Sequence, residues 1–135
     1  MTSYTGYAAG TTGEIIRCAI EVHRHLGPGL LESVYESALC LELKNVGLSY
    51  VRQAGVPVYY KGKMIAEHRP DLVVAQEVVV EVKSVERFNP VFLAQMLTYL
   101  RITELGVGLI LNFNRSTMTN GIRRVSLRDY QPLRL

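Results

Sequence analysis

Two carboxylates and a lysine near the middle of the chain have the residue types that phosphodiester hydrolysis requires. Asp71 precedes Glu81 by ten residues, and Lys83 follows Glu81 by two. Glu81 and Lys83 close the apolar run Val78–Lys83, whose β-branched residues predict a strand. Because side chains alternate along a strand, Glu81 and Lys83 share one face with Val79, and the other face consists of valines. The sequence therefore predicts two opposite charges side by side at the end of an apolar strand.

Such a group of charges can act on a phosphate through a divalent cation. Mg²⁺ is usually held by one or two carboxylates and keeps several of its waters. The cation neutralises developing charge and lowers the pKa of an attacking water, and a neighbouring lysine can stabilise the charged transition state. The alternative is an exposed hairpin with an ordinary ion pair between its strands, since these three residue types are common at surfaces.

Three further side chains are candidates for the same site. Glu32 lies in the first turn of a predicted helix, where it is either a third carboxylate near the metal or a partner of the helix dipole. Gln95 and Tyr99 stand at i and i+4 on a later helix. They either contact a nucleotide or form a contact at the edge of the core.

The charge of the chain permits an anionic partner without requiring one. The formal net charge is +3 at pH 7, and the C-terminal third contains Arg115, Arg123, Arg124 and Arg128. These arginines form either a solvated face or a rim that contacts phosphates, with Arg123 and Arg124 as the candidates for nucleic-acid binding.

The composition is that of one folded domain. The chain has 135 residues, of which 48% are hydrophobic, enough for one core. We predict that residues 1–10 form a flexible N-terminal arm and that residues 11–135 form a single domain. No signal peptide and no apolar run long enough to span a membrane is seen. Cys18 and Cys40 are expected to be buried reduced thiols, so a cytoplasmic location is expected.

Hydrophobic periodicity predicts three helices and a mixed sheet. Thr11 to Glu14 reads as a capping box for the first helix, and Asn89 and Pro90 as the N-cap and first residue of the third. The stretch from Met64 to Ala75 reads either as two strands or as one strand bent at Pro70. The predicted helices are 13–26, 30–46 and 90–104, and the predicted strands are 48–53, 56–60, 64–68, 71–75, 78–83, 107–112 and 122–127.

Taken together, these segments resemble the GxxExxY family of the PD-(D/E)XK nuclease superfamily. The resemblance covers nearly the whole chain, from about Glu14 to Leu127. It implies an α/β fold with a mixed sheet, namely a restriction-endonuclease-like α-β-β-β-α-β core with an extra N-terminal helix. The matching stretches are residues 22–29, 29–35 (Gly-Leu-Leu-Glu-Ser-Val-Tyr), 69–71 (Arg-Pro-Asp), 80–83 (Val-Glu-Val-Lys), 95–99 and 108–113.

The resemblance also implies roles for the candidate residues. The cofactor would be Mg²⁺ or Mn²⁺. The implied site comprises Asp71 and Glu81 as metal-binding carboxylates, Lys83 as the catalytic lysine, Glu32 as the early helix glutamate, and Gln95 with Tyr99 on the following helix.

The implied function is hydrolysis of nucleic acid. The expected protein is a metal-dependent nuclease, with DNA as the expected substrate, no membrane partner and a homodimer as one expected assembly. The alternative function is a nucleic-acid-binding or protein-binding module on the same fold with little turnover.

Overall fold

The computed structural model describes residues 9–130 of the chain. Most of the predicted N-terminal arm, residues 1–8, therefore lies outside the described residues. Two short 3-10 helices, Met118–Gly121 and Leu127–Asp129, flank the last strand. The helices are α1 (Ala9–Leu26), α2 (Glu32–Asn45) and α3 (Pro90–Thr103), and the strands are β1 (Tyr50–Arg52), β2 (Val56–Tyr60), β3 (Lys63–His68), β4 (Leu72–Val74), β5 (Val78–Lys83), β6 (Val107–Asn112) and β7 (Ile122–Ser126).

Five of the strands form one mixed sheet in the order β1-β4-β5-β6-β7. The pair β5–β6 is parallel, and the other neighbouring strands are antiparallel. A parallel pair needs a crossover connection, which α3 supplies between β5 and β6. The predicted mixed sheet with helices is thus confirmed.

The strands β2 and β3 form a separate two-stranded sheet. This hairpin is inserted between β1 and β4, which pair with each other directly through Arg52 and Leu72. The reading of residues 64–75 as one strand bent at Pro70 is wrong, because β3 pairs with β2 whereas β4 pairs with β1 and β5.

The helices cover the two faces of the large sheet and create two apolar layers. Val78, Val80 and Val82 are buried in the layer that contains side chains of α1 and α2. Val79 is buried in the other layer, against Met96 of α3. The alternation predicted for β5 is confirmed, and the face that carries Glu81 and Lys83 is the face that α3 covers.

The N-terminal boundary of α1 differs from the prediction. The helix already contains Ala9, so the expected capping box at Thr11 lies inside it. The Thr11 hydroxyl instead donates a hydrogen bond of 3.3 Å to the Glu77 carboxylate, beyond the far end of β4. Thr11, which the local sequence pattern predicts to be a helix cap, thus makes a contact with a residue distant in sequence.

The buried face of α2 is also narrower than its sequence suggests. Helical spacing predicts a buried face made of Leu31, Val34, Tyr35, Ala38 and Leu39. Leu31, which precedes the first helical residue, and Val34 are nevertheless exposed. Tyr35 and Leu39 are fully buried, as predicted. The helix ends at Asn45, and Gly47 with its φ of 80° closes the turn that follows.

The start of α3 agrees with its sequence. The Asn89 side chain accepts a hydrogen bond of 2.9 Å from the Val91 N–H, and Pro90 is the first helical residue. This cap fixes where the helix leaves β5, and therefore which of its side chains approach the Glu81 face.

Cys18 and Cys40 are buried and unpaired, as predicted. Within residues 9–130, none of the helices has the length and apolar character needed to cross a lipid bilayer.

Candidate functional site

Asp71 and Glu81 face each other at the end of the β4–β5 hairpin. Leu72 pairs with Val80, and continuing that register by one residue sets Asp71 opposite Glu81. The Asp71 N–H donates a hydrogen bond of 3.2 Å to Glu81 Oε1. The Val82 N–H donates one of 2.7 Å to Asp71 Oδ2. The backbone of the hairpin therefore holds both carboxylates in position.

Glu81 is the less solvated of the two carboxylates, because Asp71 is only half-buried. Glu81 is only 9% exposed, and burial raises its pKa to about 8, with repulsion from Asp71 adding to the rise and the Lys83 ammonium opposing it. Near neutral pH the metal-free Glu81 is therefore largely protonated. A cation between the two groups would favour their ionised forms.

Lys83 lies beside Glu81 on the same face of β5. Its Nζ is 4.0 Å from Glu81 Oε2 and 4.4 Å from the centre of the Phe92 ring on α3. The flank of the ammonium thus packs on an aromatic face, which favours a cation. These contacts hold the charge of Lys83 next to the carboxylate pair.

Arg123 belongs to the same side of the sheet. Its guanidinium lies 3.9 Å from the centre of the Phe88 ring, which is 5.6 Å from the Phe92 ring. The edge-to-face pair of Phe92 and Phe88 therefore lies between the Lys83 and Arg123 cations on the face under α3.

Arg124 points to the opposite face of β7. It pairs with Leu109, whose side chain is buried in the layer of α1 and α2, whereas Arg123 pairs with Ile110 in the layer of α3. Desolvation lowers the pKa of Arg124, which marks a partly buried guanidinium. Arg123 and Arg124, the two candidates for nucleic-acid binding, therefore lie on opposite faces of the sheet. Arg123 is the one on the side of the carboxylates.

Gln95 and Tyr99 line a cavity of about 180 Å³ between α3 and the end of β3, together with His68, Ala94 and Thr98. The Tyr99 ring meets the His68 imidazole edge-on at 6.0 Å. The pKa of the Tyr99 hydroxyl is raised, first by burial and then by repulsion from Glu81 and Asp71. The Tyr99 hydroxyl is therefore within electrostatic range of both carboxylates.

Glu32 lies at the C-terminal end of β5. Its Oε2 accepts a hydrogen bond of 3.2 Å from the Ser84 N–H, and the Ser84 hydroxyl donates one of 2.7 Å to the Leu30 carbonyl. The hydrogen bond that the structure describes for Glu32, within residues 9–130, is thus with Ser84 and not with a group of Asp71 or Glu81. Glu32 thus joins the start of α2 to the strand that carries Glu81 and Lys83.

Glu36 is the carboxylate of α2 that approaches Asp71, and the sequence reasoning missed it. It is 8% exposed, and its Oε2 accepts hydrogen bonds of 2.9 and 2.7 Å from Arg52 on β1. Burial raises its pKa, the Arg52 contact opposes this rise, and Asp71 adds to it. A signal existed in the sequence, because Glu36 falls in the apolar stripe of α2 at i−3 to Leu39 and i−4 to Cys40.

Gln53 and His68 were missed as well. The Gln53 backbone N–H donates a hydrogen bond of 3.1 Å to the Asp71 carbonyl, and its side-chain amide donates one of 3.4 Å to Asp71 Oδ1. Both residues reach the site through the inserted hairpin, which the sequence pattern did not separate from the main sheet.

The site offers a metal ion the carboxylates of Asp71 and Glu81. In the part of the chain that the structure describes, no three His, Cys, Asp or Glu side chains are arranged to hold an ion. Asp71 and Glu81 form a pair of oxygen donors, of which Glu81 is buried and Asp71 half-buried. Such a pair suits a cation that retains waters, such as Mg²⁺. Glu36 is held away from such a role by its ion pair with Arg52.

Comparison with known proteins identifies the superfamily to which the chain belongs. A search of curated proteins and a search of solved structures gave no match. A family model described as the PD-(D/E)XK nuclease superfamily matches residues 9–125. This match spans α1 to the last strand and contains the hairpin of Asp71, Glu81 and Lys83. The chain therefore belongs to the PD-(D/E)XK nuclease superfamily.

Proposed function

We propose that the protein is a metal-dependent nuclease that hydrolyses phosphodiester bonds in DNA. The observation that carries this proposal is the facing pair of Asp71 and Glu81. Both are anchored by the backbone, and Glu81 is buried beside the Lys83 ammonium. A surface ion pair would not need a carboxyl group whose pKa is raised to about 8. A cation site explains why two carboxyl groups are held together.

Asp71 and Glu81 are the residues that would hold Mg²⁺ or Mn²⁺. When bound, the ion would neutralise charge that develops on the phosphate and lower the pKa of an attacking water. Glu81 must release its proton before it can act as a ligand. The hydrogen bonds from the backbone N–H groups of Asp71 and Val82 keep both carboxylates oriented before a ligand arrives.

The other residues bind and position the substrate. Lys83 would stabilise negative charge at the scissile phosphate, since its ammonium lies beside Glu81 and packs on Phe92. Gln95 and Tyr99 would contact the nucleotide next to that phosphate, because their cavity adjoins the carboxylate pair.

We also propose membership of the GxxExxY family, whose named residues would be Gly29, Glu32 and Tyr35. The Tyr35 hydroxyl donates to the Gly27 carbonyl and accepts a hydrogen bond of 3.1 Å from the Leu30 N–H. Its ring stacks on Phe113 with centroids 4.6 Å apart. Together with the bond from Glu32 to Ser84, these contacts support a role for the motif in fixing the loop before α2 to the end of β5.

A cleavage screen tests the activity. Single-stranded, duplex and branched DNA and RNA are incubated with Mg²⁺ or Mn²⁺, and with a chelator as the control. We expect metal-dependent cleavage of DNA that Asp71→Asn abolishes. Cleavage of RNA alone would correct the substrate. Equal products from the wild type and Asp71→Asn would point to a contaminating nuclease and refute the assignment.

The second candidate is a binding module with little turnover. This candidate is favoured by the ion pair of Glu36 with Arg52, because Glu36 is then not available as a third metal ligand. Among the described residues, no group of three such ligands is found. In that case DNA binding would be retained without products at any metal concentration, and Asp71→Asn would leave binding unchanged.

The proposal extends to assembly and location. A homodimer would bring two sites to one duplex, and sedimentation velocity with and without DNA tests it. The cytoplasm is the proposed compartment, since Cys18 and Cys40 are free thiols. Fractionation of cells that express a tagged protein tests the location.

A further inference from the structure

The β2–β3 hairpin presents an unusually apolar and aromatic surface for a pair of exposed strands. Every residue of β3 is exposed. Tyr60, at the end of β2, is 59% exposed, and its neighbour Tyr59 is 64% exposed. Large exposed aromatic and apolar side chains of this kind mark a binding surface more often than solvent-facing scaffold.

The register of the hairpin shows which residues share a face. Val56 pairs with His68, and Tyr60 pairs with Lys63. Side chains two residues apart on a strand point to the same side, so along β2 Tyr60 lies on the face of Val56. The register shifts between Val58 and Tyr59, where β3 contains the extra residue Ile65. Because of this bulge, Lys63 and His68 both lie on the face of their partners Tyr60 and Val56, and Tyr59 lies on the other face.

That face continues into the proposed active site. His68 contacts Tyr99 edge-on and lines the cavity that also contains Gln95. His68, which lines this cavity, precedes Asp71 by only three residues along the chain. Repulsion from Glu81 and Asp71, after burial, also raises the pKa of the Tyr99 hydroxyl on the opposite wall. A strand that runs along the hairpin from Tyr60 past His68 would therefore reach Asp71.

The charge of the hairpin complements an anionic strand. Lys61 and Lys63 stand at its tip, and the Lys61 Nζ lies 5.3 Å from the centre of the Tyr60 ring. Glu67 is the acidic residue of the hairpin, and it is neutralised by an ion pair with Arg69. The tip therefore combines two lysines with an open aromatic ring.

We propose that the face formed by Tyr60, Lys63 and His68 binds single-stranded nucleic acid and guides it to the carboxylate pair. This inference rests on the proposed function, whose substrate class it narrows. Tyr60 would stack on an unpaired base and Lys63 would contact a backbone phosphate. Base faces are covered in a duplex, so a stacking ring with adjacent lysines favours an unpaired strand. Neither DNA nor RNA is excluded by this chemistry, so both are tested.

The experiment measures binding without cleavage. Fluorescence anisotropy is recorded in a chelator, with labelled oligothymidine and oligouridine of about 12 nucleotides and with a duplex of the same length. Tyr60→Ala should weaken single-strand binding by about fivefold or more, because base–aromatic stacking contributes on that scale. Tyr60→Phe should bind like the wild type.

Tyr59→Ala is the matched control. Tyr59 is adjacent to Tyr60 and similarly exposed, yet it lies on the other face, so its truncation should change single-strand affinity by less than about twofold. Equal losses for Tyr59→Ala and Tyr60→Ala would overturn the assignment of the binding face. Thermal unfolding of each variant shows whether the hairpin remains folded.

Lys63→Gln provides a test that does not depend on packing. The log of the binding constant should fall less steeply with the log of the salt concentration, by about 0.7 for one phosphate contact on a single strand. An unchanged slope together with unchanged affinity for Tyr60→Ala would overturn the proposal. So would a self-associating wild type that Tyr60→Ala converts to a monomer, since the surface would then bind a second copy of the chain.

Failure of this inference is distinct from failure of the proposed function. Metal-dependent cleavage with an unaffected Tyr60→Ala variant refutes the hairpin surface alone. Binding that depends on Tyr60 in a protein with no metal-dependent cleavage supports the surface and refutes the nuclease.

Discussion

The raised pKa of Glu81 leads to a quantitative prediction about the metal-free protein. The pKa of this carboxyl is about 8 in the folded state against an ordinary value of 4.5. The folded state therefore binds one more proton than the unfolded state between these two values. The stabilisation that this proton provides is complete below about pH 4.5 and is lost as the pH rises through about 8.

The size of this effect follows from the proton count. One proton corresponds to at most about 1.4 kcal/mol of unfolding free energy per pH unit. Between about pH 5.5 and pH 7.5 the metal-free wild type should therefore lose no more than about 3 kcal/mol through Glu81. Glu81→Gln removes the titrating group and keeps an oxygen that can accept the hydrogen bond from the Asp71 N–H, so it should largely abolish this dependence.

Urea unfolding followed by circular dichroism measures the effect, with a chelator present at each pH. The exposed Glu86 offers a matched control, and Glu86→Gln should retain the slope of the wild type. If Glu81→Gln lost stability with rising pH as steeply as the wild type, Glu81 would not be the group that holds the proton. Mn²⁺ affinity should change in the opposite direction and rise with pH up to about pH 8, because binding requires the ionised carboxylate.

Three other changes test the site and its scaffold. Calorimetric titration of Mn²⁺ should detect binding to the wild type and none to Asp71→Ala/Glu81→Ala, and equal affinity would contradict the ligand assignment. Lys83→Met should lower cleavage by about 10²-fold or more while changing unfolding free energy by only about 1 kcal/mol; wild-type cleavage rates in this variant would remove its catalytic role. Gly121→Ala should cost about 1–3 kcal/mol or more of stability, because the added Cβ would overlap the Asn112 carbonyl oxygen; unchanged urea midpoints would show that the turn adapts.

Local patterns in the sequence were sufficient to predict the strand that carries the site. The valines of β5 alternate between the two layers, and the Glu81 face was assigned correctly from that period alone. The cap of α3 at Asn89 was also readable, because it depends on neighbouring residues only. The structure places Asp71 opposite Glu81 because only a short turn separates β4 from β5.

Features that depend on contacts distant in sequence were not predicted. The burial of Glu36 depends on Arg52 from β1, and its proximity to Asp71 depends on the register of β4. Arg123 and Arg124 are adjacent in sequence, yet only the pairing of β7 with β6 shows that they serve opposite faces.

The separation of the inserted hairpin from the main sheet was likewise not predicted from local sequence patterns. β2 has the β-branched and aromatic residues of a core strand, and a short turn joins it to β3, so the sequence pattern did not separate this hairpin from β1 and β4. Met64 and Ile65 are nevertheless exposed. Which strands pair is decided by the whole sheet, and periodicity within one strand does not contain that information.

The way in which the hairpin joins the main sheet has an evolutionary consequence. It leaves β1 after Arg52 and returns to β4 before Leu72, and these two residues are partners in the sheet. Its base is closed by the bond from the Gln53 N–H to the Asp71 carbonyl and by one from Arg69 to the Gln53 carbonyl. We therefore expect insertions, deletions and substitutions beyond this closure to leave the register of β1, β4 and β5 unchanged. With the hairpin as the proposed binding surface, mutation there would diversify the substrates while selection preserves the proposed metal-binding residues.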